Sequence, residues 1–457
     1  MLNRTTGRTH AFMKRLSITS NYWFMIIKEN NKLLLNKSLL KGTLFSLFSF
    51  INKGLVFLLL LILANFIAPA EYGYLGLFST VAMVVGYFVA MSSEGYFSVA
   101  FFRDGKEGLT KSSTAIFWLS IVFCSVVALI LIVFGKESSL LLNLPLNMLW
   151  LLLPIAFFTL YTNLNLDLFR LQEKVKMYGI FSCGNAIFNF VLSIILVKYC
   201  LLGWEGRIYA QVICFSLFGF IGLLYLRKLI ERFDWAYTKM ILLYGIPLIP
   251  HNAVAFIRQG LDRYIINANF SIEEVGLFSF AMNLANIIMT IGLGFNQTNS
   301  IEIYKVLGDN IFSTEEKKRI ITSQRKKLSI VYLVAALIVV VVCMPTIPLI
   351  LPKYADAMPY FPILAVYTYF FCQYLLYTNY LFFYKKTKQI MYITFGSSIF
   401  HFLLSLWLTR YSMYLTCLVY CISQGVILIM IRYIAQKELY KNLTITCLLY
   451  TSPSPRD

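Results

Sequence analysis

Three charged side chains, Arg258, Asp262 and Arg263, interrupt the apolar stretch LLYGIPLIPHNAVAFIRQGLDRYIINANFSIEEVG at Leu242–Gly276. Charges at membrane depth rarely face lipid, so the stretch reads as a helix lining a polar passage. Gly245, Pro247 and Pro250 break it early, because proline removes a helical hydrogen bond and clashes with the preceding turn, and these three form a candidate hinge. Arginine presents a planar fork of donors that grips phosphate with two parallel bonds. Asp262 follows Arg258 by four residues, on the same helical face. It either holds Arg258 in an ion pair or acts as a proton- or sodium-sensitive coupling group. Arg263 points about 100° away on a helix of 3.6 residues per turn. Anchoring at the outer interface and substrate contact are both open for it. His251, just after Pro250, is a titratable coupling group or a structural imidazole.

A second cation, Lys53, lies inside the first apolar run, 11 residues after Gly42, while Arg258 lies 13 after Gly245. These glycines occupy matching places in an internal repeat. LLKG at Leu39–Gly42 echoes LLYG at Leu242–Gly245, ANF at Ala64 echoes ANF at Ala268, and AEYG at Ala70–Gly73 echoes EEVG at Glu273–Gly276. LFRLQEKVKMYGIF at Leu168–Phe181 and FNFVLS at Phe188–Ser193 recur as LFFYKKTKQIMYITF at Leu381–Phe395 and FHFLLS at Phe400–Ser405. Repeats in a hydrophobic chain are a transporter signature. The repeat brings Lys53 and Arg258 to one depth, facing a shared cavity, where Lys53, Arg258 and Arg263 are candidates to bind an anionic substrate, snorkelling or a structural pair being the alternative for Lys53 and Arg258.

The 457 residues are 59% hydrophobic and 13% charged, with a mean hydropathy of +0.71. Soluble domains carry about 25% charged residues, so this is a polytopic all-α membrane protein. About twelve stretches approach the roughly 20 apolar residues needed to cross a bilayer. They lie near 43–67, 74–91, 113–134, 147–166, 178–199, 208–226, 240–261, 275–295, 328–351, 360–383, 390–408 and 412–434. With the N-terminus in the cytoplasm, 31 Lys and Arg fall on the cytoplasmic side and 7 on the other, as topology requires. That distribution accounts for the net charge of +19 without nucleic acid. Six helices per repeat is an even number, so the halves should be related by a pseudo-two-fold axis along the membrane normal.

The expected divisions are a basic cytoplasmic arm at 1–38, an N-lobe at 39–234, a C-lobe at 235–446 and a tail at 447–457. The arm is either genuine or an over-long start with Met13 or Met25 as initiator. CLLYTSPSPRD at Cys447–Asp457 resembles a translated sequencing adapter. The connection at Asn296–Lys327, with KKR and RKK clusters, is expected to carry a short amphipathic helix. Glu94 and Arg103 are either a gate or a solvated loop face. His401 has no neighbouring ligand residue, and the nine scattered cysteines form no CxxC pair, so no metal and no cofactor are expected. No triad, P-loop or HExxH helix supports an enzyme.

GIPLIPH at Gly245–His251, DRYIIN at Asp262–Asn267 and EEVGLFSFA at Glu273–Ala281 resemble the seventh and eighth helices of polysaccharide and O-antigen flippases. That family shares a superfamily with the multidrug and toxin extruders and the lipid II flippases. APAEYGYLGLFS at Ala68–Ser79 is similar to the family's first hairpin, and LFRLQEKVKMYGI to its fourth-to-fifth connection. The resemblance spans about residues 39–435. It implies two six-helix lobes that rock by alternating access in a bacterial inner (plasma) membrane. The cargo it implies is an undecaprenyl-pyrophosphate-linked oligosaccharide for cell-surface polysaccharide or lipopolysaccharide. Implied partners are membrane lipids and a glycan polymerase or ligase. The alternative on the same fold, a multidrug-type cation antiporter, calls for an acidic cavity, whereas the mid-membrane charges here are mainly basic.

Overall fold

Apolar runs punctuated by Gly and Pro become helices in the computed structural model, which describes residues 44–45, 47–52, 54–248, 254, 256–258, 260–308 and 312–450. Lys53, Pro250 and His251 lie outside the described residues, as do the basic arm and the last seven residues. Among the described residues there is no strand, and eight helical stretches are long and apolar enough to cross a membrane. The N-terminal half contributes α1 (Leu47–Leu63), α2 (Pro69–Ala90), α3 (Ser93–Leu142), α4 (Leu146–Leu171), α5 (Val175–Tyr199) and α6 (Gly203–Leu226). In the C-terminal half, α7 comes in two described pieces, Trp235–Gly245 and Leu261–Asn269. It is followed by α8 (Ile272–Gly308), α9 (Thr314–Ile350), α10 (Phe361–Phe383), α11 (Thr387–Leu408) and α12 (Met413–Tyr450). Outer faces of α3, α9 and α12 leave Ile132, Val341 and Ile429 bare, as lipid-facing helices do.

Helix ends follow local chemistry. Pro69 sits in the first turn of α2 and the Glu71 carboxylate accepts from the Ala68 N–H at 2.7 Å, so the helix starts earlier than its apolar run. Likewise α3 extends well beyond 113–134. Its first turns run along the face bearing the basic connections and bend at Gly105, whose φ of 59° favours glycine. Among its described residues, the Asn296–Lys327 connection carries no separate amphipathic helix. Residues 296–308 extend α8, and a capping box at Ser313 and Glu316 starts α9, after which nothing breaks the helix before its apolar run.

The repeat reads out as symmetric contacts. A Cβ on Gly73 would lie 2.1 Å from the Ile272 carbonyl oxygen, and one on Gly276 would lie 1.8 Å from that of Pro69. Positions 69 and 73 are offset by 203 from 272 and 276, so α2 and α8 cross reciprocally about a pseudo-two-fold axis. The α4–α5 and α10–α11 turns match too. Glu173 and Lys385 adopt φ of 54° and 56°, and Lys174 and Lys386 donate from N–H to the carbonyls of Phe169 and Leu381, each at 2.8 Å. Around the α2–α8 crossing, Tyr72 accepts from the Asn283 amide at 2.8 Å, Phe280 stacks on Tyr354 at 4.4 Å, and the Tyr354 hydroxyl donates to the Ile67 carbonyl at 3.1 Å. Together these close the face opposite the basic connections.

Candidate functional site

The second half of α7 reaches the crossing because Gly260 lets it lean on α2. A Cβ there would meet Thr80 Cγ2 at 2.7 Å. The Arg263 side chain then runs between α2 and α8, its Nε donating to Ser279 Oγ at 3.0 Å and its Nη1 to Thr80 Oγ1 at 3.3 Å. Ser279 is the repeat mate of Gly76, and a Cβ on Gly76 would lie 3.1 Å from Arg263 Cδ. The guanidinium therefore sits beside the axis rather than at the outer interface. It walls a cavity of about 180 Å³ with Ser79, Thr80, Met83, Asn286, Tyr367 and Tyr420. This is room for several waters or a phosphate-sized group.

Arg258 lies one to two turns before Arg263. Its Nη2 donates to the Gln424 side-chain oxygen of α12, and Tyr367 and Tyr374 of α10 lie within reach of its charge. Tyr367 thus links Arg258 to the cavity that Arg263 walls. Among the described residues no carboxylate lies within 4 Å of Arg258, and both Arg258 Nε and Gln424 Nε2 are buried donors without an acceptor. Orphaned buried donors are rare in native proteins and call for a ligand or water.

The expected Arg258–Asp262 ion pair does not form. Asp262 turns instead toward α11, where His401 Nε2 meets its Oδ2 at 2.7 Å and the Ser405 hydroxyl donates to its Oδ1. Asp262 is 1% exposed, and His401 and Ser405 are fully buried. His401 Nδ1 bonds Ser423 Oγ at 2.9 Å, and the ring packs edge-on against Tyr420 at 4.8 Å. A one-turn spacing explains the error: on a nine-residue helix the carboxylate has a closer, dryer partner across the interface than along its own face.

His401 escaped the reading of the sequence because its partner lies 139 residues away. One signal pointed to it. FNFVLS and FHFLLS place Asn189 and Ser193 opposite His401 and Ser405 in the repeat. In the N-terminal half, that pair receives Arg207 of α6. Its Nη1 donates to Asn189 Oδ1 and to Ser193 Oγ, the latter at 2.9 Å. The two halves therefore use one polar socket, four residues wide on α5 and α11, for charges of opposite sign.

Of the remaining candidates, Gly245 ends the first piece of α7, which tightens into a 3₁₀ turn over Ile246–Leu248 containing Pro247. Arg103 and Glu94 lie away from the cavity. Arg103 forks Asp104 and reaches Tyr96 at 3.1 Å, Tyr237 donates to Asp104 at 3.2 Å, and Asn163 donates to Glu94 at 3.1 Å. These contacts tie the start of α3 to the start of α7 and to α4.

Residues 39–301, more than half of the chain, match the family described as polysaccharide biosynthesis protein. The chain belongs to this family. A membrane protein of Haemophilus influenzae without assigned function is 24% identical over 54% of the chain, which spans 60% of that relative's length. A product of the Lsg locus of the same organism is 23% identical over 74% of the chain and 83% of its own. Among solved structures, an inward-facing multidrug-resistance MATE-family transporter of the MOP superfamily superposes with a TM-score of 0.68 at 12% identity, covering 87% of this chain and 96% of that one. An outward-facing one gives 0.60 at 14% identity, covering 90% and 96%. At these identities the likeness establishes the fold. This family member is an all-α membrane protein of two lobes related by a pseudo-two-fold axis along the membrane normal.

Proposed function

We propose that the protein is a flippase that carries a lipid-pyrophosphate-linked oligosaccharide from the cytoplasmic leaflet across a bacterial plasma membrane, the face with the basic connections being cytoplasmic. The observation that carries this reading is the pairing of Arg258 with Gln424, which leaves two buried donors beside Tyr367 without an acceptor and without a neighbouring carboxylate. A phosphate oxygen is the acceptor such a pair accommodates, and the Arg263 guanidinium lies along the same wall. The small cavity takes the pyrophosphate, while glycan and lipid tail require the lobes to part. Lys53 is assigned to the same cavity from the repeat, and Gly245, Pro247 and Pro250 to the hinge of α7. Family membership supports a role in making surface polysaccharide, with a polymerase or ligase taking the product.

Asp262 with His401 is assigned to holding the second half of α7 against α11. The multidrug antiporter alternative draws on the fold likeness and on Asp262. That carboxylate is engaged by His401 and Ser405, so it offers little to a cationic drug. The test is complementation of a strain lacking its own oligosaccharide flippase. Restored surface polysaccharide, lost again in Arg258→Gln, is the expected result. Drug resistance without restored polysaccharide would overturn it in favour of the antiporter.

A further inference from the structure

At the basic end of the C-terminal half, away from the cavity, two arginines meet one tyrosine. Arg325 of α9 places its guanidinium carbon 5.2 Å from the ring centre of Tyr377, and Arg432 of α12 places its own 5.9 Å from the same ring. Among the described residues neither arginine forms an ion pair. An aromatic face attracts cations, yet two like charges at one ring still repel each other.

The neighbouring groups are also short of acceptors. Tyr380, on the same face of α10 as Tyr377, is 1% exposed, and its hydroxyl, which lies beside the Arg325 guanidinium, finds no acceptor. Gln373, one turn the other way, accepts from Ser329 of α9 at 3.0 Å through its oxygen, leaving its buried Nε2 without an acceptor. The acidic groups nearby are occupied. Glu302 takes a bond from Gln324 at 3.0 Å, and Glu438 pairs with Lys386 at 3.4 Å. Gln324 Oε1 is a buried acceptor without a donor. Arg325 stands just ahead of the long apolar run of α9 that begins at Leu328, so the cluster lies at the depth of lipid headgroups.

We infer that Arg325, Arg432, Tyr377 and Tyr380 form a site for a phosphate-bearing lipid headgroup at the basic end of the C-terminal half. Two forks and the neutral donors of Tyr380 and Gln373 match a tetrahedral anion, and a headgroup phosphate is the anion found at that depth. The inference does not depend on the proposed cargo, because an ordinary anionic phospholipid and a lipid pyrophosphate present the same oxygens.

The experiment uses the full chain, purified in uncharged detergent, with lipids retained counted by native mass spectrometry. Two probes are titrated separately: phosphatidylglycerol and farnesyl pyrophosphate. Arg325→Gln with Arg432→Gln should weaken at least one probe more than tenfold, and the probe affected names the source of the phosphate. Tyr380→Phe, which removes one hydroxyl and leaves the fold intact, should weaken the same probe by about five- to tenfold, the equivalent of one hydrogen bond. Arg325→Lys with Arg432→Lys should fall between wild type and the Gln pair. Binding of both probes within twofold of wild type in the Gln pair and in Tyr380→Phe would overturn the inference.

Discussion

Asp262→Asn and Arg258→Gln should separate a structural charge from a functional one. Asp262 is fully enclosed and accepts from His401 and Ser405, partners that are themselves fully buried. Breaking a buried pair by removing one charge costs about 3–5 kcal/mol, because the partner is left uncompensated. Asparagine adds a second fault, since its amide presents a donor where the socket needs an acceptor. Arg258 differs. It makes one hydrogen bond to Gln424, worth about 1.5–3 kcal/mol for a charged group, but its buried unpaired Nε carries a desolvation penalty of similar size. Those effects nearly cancel, so Arg258→Gln should change stability by about 1 kcal/mol or less. Thermal unfolding of the purified proteins in one detergent, followed by tryptophan fluorescence, measures both. Complementation by equal amounts of membrane-inserted protein measures transport. The expected result is a strongly destabilised Asp262→Asn and a folded, inactive Arg258→Gln. If Arg258→Gln unfolds as early as Asp262→Asn, the two residues belong to one structural unit and the division of roles is wrong.

Arg258→Lys should retain partial transport, keeping charge but losing the fork, and Lys53→Gln combined with Arg258→Gln should be little worse than either alone; full transport by the folded double variant would remove both from the cargo site. Gly276→Ala should prevent the α2–α8 crossing from closing, since its Cβ would lie 1.8 Å from the Pro69 carbonyl oxygen. A cysteine placed at Ser79 should then label more than fivefold faster with a membrane-impermeant maleimide; unchanged labelling would show that the crossing is not the seal. Arg207→Met, which removes a buried cation whose bonds go to Asn189 and Ser193, should lower stability by about 1–3 kcal/mol, the cost of leaving those acceptors unsatisfied; unfolding within a degree of wild type would argue against the matched sockets.

What could be read from the sequence was whatever is periodic or local. Span number, the broken seventh helix and the repeat all rest on runs of apolar residues, on Gly and Pro, and on short echoes. The repeat survives as geometry at Gly73, Gly276, Glu173 and Lys385. Side-chain partners across helices were not readable. Spacing suggested Arg258 for Asp262, but helices α7 and α11 meet only in the folded bundle, where His401 wins. The same holds for the Arg207 contacts with Asn189 and Ser193, and for the orphaned donors of Gln424 and Tyr380, whose lack of acceptors has no signature along the chain.

The reciprocal contact of Pro69 with Gly276 and of Ile272 with Gly73 has the form of an isologous dimer interface contained in one polypeptide. In a true dimer every substitution appears twice. Within a fused chain each half changes alone, and distance from the axis sets how far it can go. Where backbones touch on the axis, both mates remain glycine, because a side chain on either closes the same gap. One turn further along, Gly76 faces Ser279, and the hydroxyl supplies an arginine with a partner that no symmetric pair of glycines offers. In the off-axis sockets the divergence reaches charge itself, with Asn189 beside a cation and His401 beside a carboxylate. Symmetry holds the frame, and its local loss is what lets one lobe do something the other does not.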